Sequence, residues 1–254
     1  MTTDQTPAAA GIAATAIASG PADATASLGR IRNIVLVHGA FADGSGWKAV
    51  ARLLQHEGYV VSIVQQPMTS LKDDIAATER VLNRQAGPSI LVGHSYGGGV
   101  ITMAGHSPMV AGLVYVAAFA PDEGEALGPL TGSMPPATVA IAPTDDGYLF
   151  VDPVSFPADF AADLSAEDAR FMALSQMPTA AEAFGTIMGV PAWKTKPSWG
   201  IVATQDRMIN PDLERWMYER ADAHITEVDA SHAVYVSQPR AVADVIIRAA
   251  FEAR

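Results

Sequence analysis

Apolar and polar positions alternate in blocks along most of this chain. Asn33–His38 is a continuous apolar run that ends in His-Gly, and Tyr59–Val64, Ser89–Gly93 and Val110–Val116 repeat the pattern. Short apolar runs bounded by turn residues suit strands buried on both faces of a parallel sheet. Between them lie segments of helical period. Trp47–His56 ends near Gly58; Leu71–Ala86 has Ser70 as a plausible N-cap and Gly87-Pro88 as its stop; Ser95–Gly105 is rich in small residues. The order β-α-β-α-β-α-β implies a parallel sheet with right-handed crossovers. The alternation breaks at Pro121. Residues 121–192 are rich in proline and loop signals, contain no strong strand pattern, and predict short helices at Ala166–Gln176 and Thr179–Met188. The alternation then resumes as strand Ser198–Thr204, helix Asn210–Ala221, strand Ile225–Val228 and helix Pro239–Ala253. The expected organisation is an α/β core of residues 30–120 and 193–254, interrupted by a mainly helical cap at 121–192.

Composition narrows the class. The 254 residues are 49% hydrophobic and 17% charged, enough for one α/β domain with a sizeable core. A net charge of -11 with no basic run argues against nucleic acid or an anionic membrane as partner. There is no cysteine, so disulfides and thiolate metal sites are excluded. No stretch reaches the length of a membrane span. Residues 1–29 stand apart. Ala8–Ser19 is a short Ala-rich apolar stretch followed by small-residue patterns of the kind that end a secretory signal, yet the first basic residue is Arg30. The missing basic start favours a flexible tail and a cytoplasmic protein; a signal remnant, and with it export, is the alternative.

The strongest chemical motif is Gly93-His94-Ser95-Tyr96-Gly97, placed between a buried strand and a helix start. A serine at so sharp a turn is lifted clear of the sheet, and the positions two residues either side must be small. A serine hydroxyl needs an adjacent base. Ala230-Ser231-His232-Ala233 follows the last strand and supplies one; Asp206 ends the apolar run before it and supplies the acid that orients the histidine. The order Ser, Asp, His is the one used with this kind of turn. Plainer roles weigh against each: an N-cap serine, a surface-loop histidine, a turn carboxylate with Asp212 and Asp229 nearby. Asp212 reads better as a helix first-turn residue, and Asp229 lies on the wrong side of the strand end. Charge developing on a substrate oxygen needs N–H donors. The Tyr96 N–H is one, and the loop after His38-Gly39 supplies the Ala40 N–H, with Phe41 as the fallback. His38 and His94 read as packing residues, and Asp43-Gly44-Ser45-Gly46 has no strand leading into its serine. From the apolar residues of the cap and first loop, Trp47, Phe119, Phe150, Met172, Phe184 and Met188 are the candidate pocket lining.

The segments His38–Trp47, Gly93–Gly98, Val114–Pro121, Gln205-Asp206-Arg207 and Ser231–Val234 together resemble the α/β-hydrolase superfamily. They resemble most the branch of small bacterial esterases, plant methyl-ester esterases and plant hydroxynitrile lyases. The resemblance covers residues 31–254, with the cap matching least. It implies an α/β-hydrolase fold, a mostly parallel central sheet flanked by helices with a small cap. It further implies acyl transfer on a small-molecule ester without metal or organic cofactor, and leaves a homodimer open. The lyases of this branch carry threonine after the first-loop histidine and lysine after the catalytic histidine. Gly39 and Ala233 stand there in this chain, which favours an esterase. A lyase, a cofactor-free perhydrolase and a non-catalytic small-molecule receptor of the same fold are the alternatives.

Overall fold

The structure, a computed structural model, describes residues 31–134, 138 and 140–253. The N-terminal reading of residues 1–29 falls outside them. Six parallel strands form the central sheet: β1 (Asn33–Val37), β2 (Val60–Val64), β3 (Ser89–His94), β4 (Val110–Val116), and, after the cap, two more. The cap holds β5 (Ile141–Pro143), β6 (Tyr148–Val151) and β7 (Thr179–Ala180); β8 (Ser198–Ala203) and β9 (His224–Val228) complete the main sheet, whose order is β2-β1-β3-β4-β8-β9.

The continuous apolar runs have two destinations, because side chains alternate across a strand. Val35, Val37, Leu91, Leu113 and Tyr115 enter one core, and Ile34, Leu36, Ile90, Val92, Val114 and Val116 enter the other. The first core is closed by α2 (Leu71–Leu82), α3 (Gly97–Ala104) and α8 (Pro211–Arg220). The second is closed by α1 (Lys48–His56), α9 (Val234–Ser237) and α10 (Pro239–Glu252). Between β4 and β8 run the cap helices α4 (Leu127–Ser133), α5 (Phe156–Asp159), α6 (Ala166–Leu174) and α7 (Ala181–Gly185). Ser70 caps α2 by accepting the Asp73 N–H, as the sequence suggests. The chain passes from β1 outward to β2 and then back to β3 on the other side of β1. This switch point opens a crevice at the carboxyl ends of the strands, where such sheets bind ligands.

The cap corrects one expectation. It is mostly helical, but β5, β6 and β7 form an antiparallel sheet of their own. Strands of two to four residues are too short to display a period of two. Their signal lay in the turn instead: Thr144-Asp-Asp-Gly147 closes a hairpin, with Gly147 at φ 85° and the Thr144 N–H donating to the Tyr148 carbonyl at 2.7 Å. The helix expected from Thr179 opens with β7 and is shortened to Ala181–Gly185. Pro143 is tolerated because β5 is an edge strand. The cap is tied to the core by Arg220, which donates to both Glu125 oxygens at 2.6 and 2.8 Å, and by the Trp193 indole N–H on the Pro121 carbonyl at 2.9 Å. Among the described residues no helix is long and apolar enough to cross a membrane.

Candidate active site

Ser95 follows β3 directly and has φ 53°, in the left-handed region that a non-glycine residue enters only when its surroundings hold it there. Those surroundings are visible. The Ser95 N–H donates to the Val116 and Ala117 carbonyls at 3.2 and 3.1 Å, and the Ser95 carbonyl accepts from Gly98 at 2.9 Å and Phe119 at 3.2 Å. The flanking glycines are required by contact. A Cβ on Gly93 would lie 2.5 Å from the Gly97 carbonyl oxygen, and one on Gly97 would lie 2.6 Å from that of His38. The loop after β1 presses just as closely, since a Cβ on Gly39 would meet Ser95 Cβ at 2.7 Å.

Asp206 and His232 end the loops that follow β8 and β9. His232 Nδ1 lies 2.5 Å from Asp206 Oδ2, with the histidine 1% and the aspartate 3% exposed. Asp206 Oδ1 accepts the Met208 and Ile209 N–H groups at 2.7 and 2.9 Å. The carboxylate is therefore locked, and His232 carries its proton on Nδ1, leaving Nε2 to accept. His94 joins this pair to the turn. Its Nε2–H donates to the His232 carbonyl at 2.9 Å and its ring packs 4.6 Å from the His232 ring. The residue before Ser95 thus holds the backbone of His232. Asp212 and Asp229 are engaged elsewhere, with Arg215 and with Thr204 and Gln205.

Among the described residues the N–H groups of Ala40, Phe41 and Tyr96 have no backbone acceptor. Phe41 is itself in the left-handed region at φ 61°. His38 braces this loop from below. Its Nδ1–H donates to the Gly39 carbonyl at 2.9 Å, and its Nε2 accepts the Gln66 N–H at 3.1 Å, so it is neutral in this tautomer. Tyr96 is anchored by its hydroxyl, which donates to Asp74 Oδ2 at 2.6 Å. No group of three or more histidines and carboxylates able to hold a metal ion stands together among the described residues.

The alpha/beta hydrolase family pattern matches residues 34–245. The chain belongs to that family. Among its relatives is the pyrethroid hydrolase of Sphingobium wenxiniae, 28% identical over 251 residues, covering 85% of this chain and 86% of the relative. A carbendazim hydrolyzing esterase from a Nocardioides species is 32% identical over 126 residues, 42% of this chain and 51% of that one. A solved pyrethroid hydrolase from Sphingobium faniae superposes with a TM-score of 0.74 at 28% identity, covering 87% of this chain and 97% of that structure.

Ser95, Asp206 and His232 all follow the carboxyl ends of strands, and the cap covers them. Ser95 is only 8% exposed. Phe160 of the cap stands edge-on to the His232 ring at 4.7 Å and accepts the Ala233 N–H on its carbonyl at 2.9 Å. Phe184 lies against the rings of both Phe41 and Tyr96, at 6.4 and 5.4 Å. A cleft of about 130 Å³ reaches the first loop at Phe41 and is lined also by Phe171, Met172 and Tyr235 with Asp43 and Asp168 in its wall; neither Ser95 nor His232 lines it. Of the expected lining residues, Met172 faces this cleft and Phe184 covers the first loop. Phe150 lies on β6, away from the lining of that cleft. Met188 is buried beside α3 and lines a separate groove with Leu71, Ile75 and Met103. Trp47 and Phe119 are core residues. Trp47 is fully buried against Tyr235 at 4.7 Å and supports the turn from below. The sequence does not separate Phe160 from the other cap aromatics or mark Tyr235, because an aromatic in a core and one over a site have the same apolar signature.

The hydrolase site carries an acid-sensitive element. Burial holds the pKa of His94 well below the ordinary value of 6.5, and the neighbouring His232 acts in the same direction. The unfolded chain therefore takes up this proton first as pH falls, and stability is lost below about pH 6.5, by up to about 1.4 kcal/mol per pH unit. The urea midpoint is expected to drop between pH 7.5 and 5.5, and to drop less in His94→Gln; equal drops would place the sensitivity elsewhere.

Proposed function

We propose that this hydrolase cleaves a small to medium, mostly hydrophobic carboxylic ester through an acyl-enzyme on Ser95. The observation that carries the reading is the buried His232–Asp206 pair at 2.5 Å, tied through His94 to a serine held at φ 53°. Ser95 Oγ attacks the ester carbonyl while His232 Nε2 takes its proton. Asp206 stabilises the imidazolium that results. The oxyanion is held by the Tyr96 N–H together with that of Ala40, with Phe41 beside it. His232 then protonates the departing alcohol. Water repeats the sequence on the acyl-enzyme, and His232 returns the proton to Ser95.

The surroundings support a neutral ester. The rings of Phe160, Phe41 and Phe184 around His232 and Tyr96 give the site an apolar covering, which suits an uncharged ester. Phe160 and Phe184 exclude water, which strengthens each interaction in the site. A lyase would need the groups that Gly39 and Ala233 replace, and a side chain at position 39 would strike Ser95. The relatives named as a pyrethroid hydrolase and a carbendazim hydrolyzing esterase agree with hydrolysis as the reaction. The test is steady-state hydrolysis of p-nitrophenyl esters from acetate to decanoate. Turnover with its optimum at short to medium chains and a fall toward decanoate is expected. No turnover on any ester would remove the esterase reading, and a rise up to decanoate would remove the preference for a small to medium ester.

A further inference from the structure

A carboxylate in the first turn of a helix ordinarily faces water and complements the helix dipole. Asp212 does so in α8, exposed and paired with Arg215 at 2.7 Å. Glu214, two residues on, points inward and has no exposed surface. Its Oε2 accepts the Ala203 N–H at the end of β8, at 3.1 Å. Its Oε1 is buried and meets no donor among the described residues. Asp206 is its acidic neighbour, and both residues meet Ala203: Glu214 accepts its N–H, and the Asp206 N–H donates to its carbonyl at 3.0 Å.

The other groups that face Glu214 do not neutralise it. The Tyr218 hydroxyl, on the same helix, is already committed to the Ala118 N–H and carbonyl at 2.8 and 2.9 Å. Arg215 turns outward to Glu227 and Asp212. His232 bonds to Asp206. Two buried carboxyl groups in contact cannot both ionise. Asp206 holds the Met208 and Ile209 N–H groups and the His232 Nδ1–H, whereas Glu214 holds one backbone donor. The shared proton therefore sits on Glu214. Burial, and then the charge of Asp206, hold its pKa well above the ordinary 4.5.

We propose that Glu214 is a neutral carboxylic acid whose Oε1–H donates to the Asp206 carboxylate, making it a positioning residue behind the catalytic triad. The assignment rests on Asp206 being the acid of that triad. It gives the orphaned Oε1 a role as donor and gives Asp206 a further hydrogen bond. That bond draws charge from Asp206 and so weakens the hold of its carboxylate on the imidazolium that forms at His232.

Glu214→Gln keeps a donor in place and Glu214→Leu removes it. The infrared difference between wild type and Glu214→Gln at pH 7 is expected to show the carbonyl stretch of a neutral carboxylic acid. Its absence overturns the proposal. Glu214→Leu is expected to move the acid limb of kcat/KM upward by about one pH unit, the scale of one lost hydrogen bond to a carboxylate. Glu214→Gln restores the limb. An unmoved limb in Glu214→Leu, or equal displacement in both variants, overturns the proposal. A third readout needs no activity. The folded state keeps a proton on Glu214 that the unfolded chain releases above about pH 4.5, so wild-type stability falls relative to Glu214→Gln as pH rises from there. A parallel or opposite trend means that Glu214 is ionised. Full activity in Asp206→Asn would remove the triad reading while leaving the infrared band in place, so the two failures are distinguishable.

Discussion

Replacing Ser95 by alanine is expected to lower kcat toward p-nitrophenyl butyrate by about 10⁶, the scale of removing the nucleophile from a complete triad. The neighbouring hydroxyl is not placed to substitute. Ser231, beside His232, is turned to Asp163 and the Phe160 carbonyl. The oxyanion donors and His232 would remain, so residual hydrolysis would proceed by direct attack of water at a low rate. KM should change little, since the hydroxyl contributes bond making rather than binding. Folding should be unaffected: alanine experiences the same φ of 53° as serine, and the backbone hydrogen bonds that hold the turn are main-chain bonds. Steady-state kinetics and a urea titration on the same preparation check both halves. A loss of only a few fold would remove Ser95 from its role.

Asp206→Asn is expected to cost about 10⁴ in kcat, and the structure says why an amide cannot substitute. Oδ1 of Asp206 faces the Met208 and Ile209 N–H groups, so an asparagine must put its oxygen there. Its NH₂ is then forced toward His232 Nδ1, where Oδ2 now sits. Two donors cannot face each other. His232 must shift its proton to Nε2, and the nitrogen that should accept the serine proton becomes a donor. The variant should fold, and its activity should recover partially at high pH, where hydroxide generates the alkoxide. Undiminished kcat at neutral pH would show that Asp206 does not set the tautomer.

The sequence made the elbow and the two loops readable because each is tied to a backbone event. Gly93 and Gly97 are glycine because carbonyl oxygens lie within 2.6 Å of where their Cβ atoms would be. Asp206 and His232 stand at strand ends, and strand ends in a parallel sheet are marked by the apolar runs before them. Glu214 had no such mark. It reads as one more acid in the first turn of a charged helix, and only the packing of α8 on β8 buries it. The pocket was legible least. Trp47, Phe119 and Phe184 look alike as apolar residues, and tertiary packing sends two of them into the core and one over the loop after β1. The cap sheet escaped notice because pairing between distant short strands, not local period, creates it.

The central claim is that Ser95 forms a covalent bond to the substrate carbon, and a p-nitrophenyl phosphonate tests it most directly. Such an ester forms a stable adduct with an activated serine and releases one p-nitrophenolate. The wild-type protein is predicted to gain one phosphonyl group per chain, mapped by peptide mass to Ser95, with esterase activity lost in step, while Ser95→Ala gains none. Labelling at another residue, or loss of activity without an adduct on Ser95, would contradict the account.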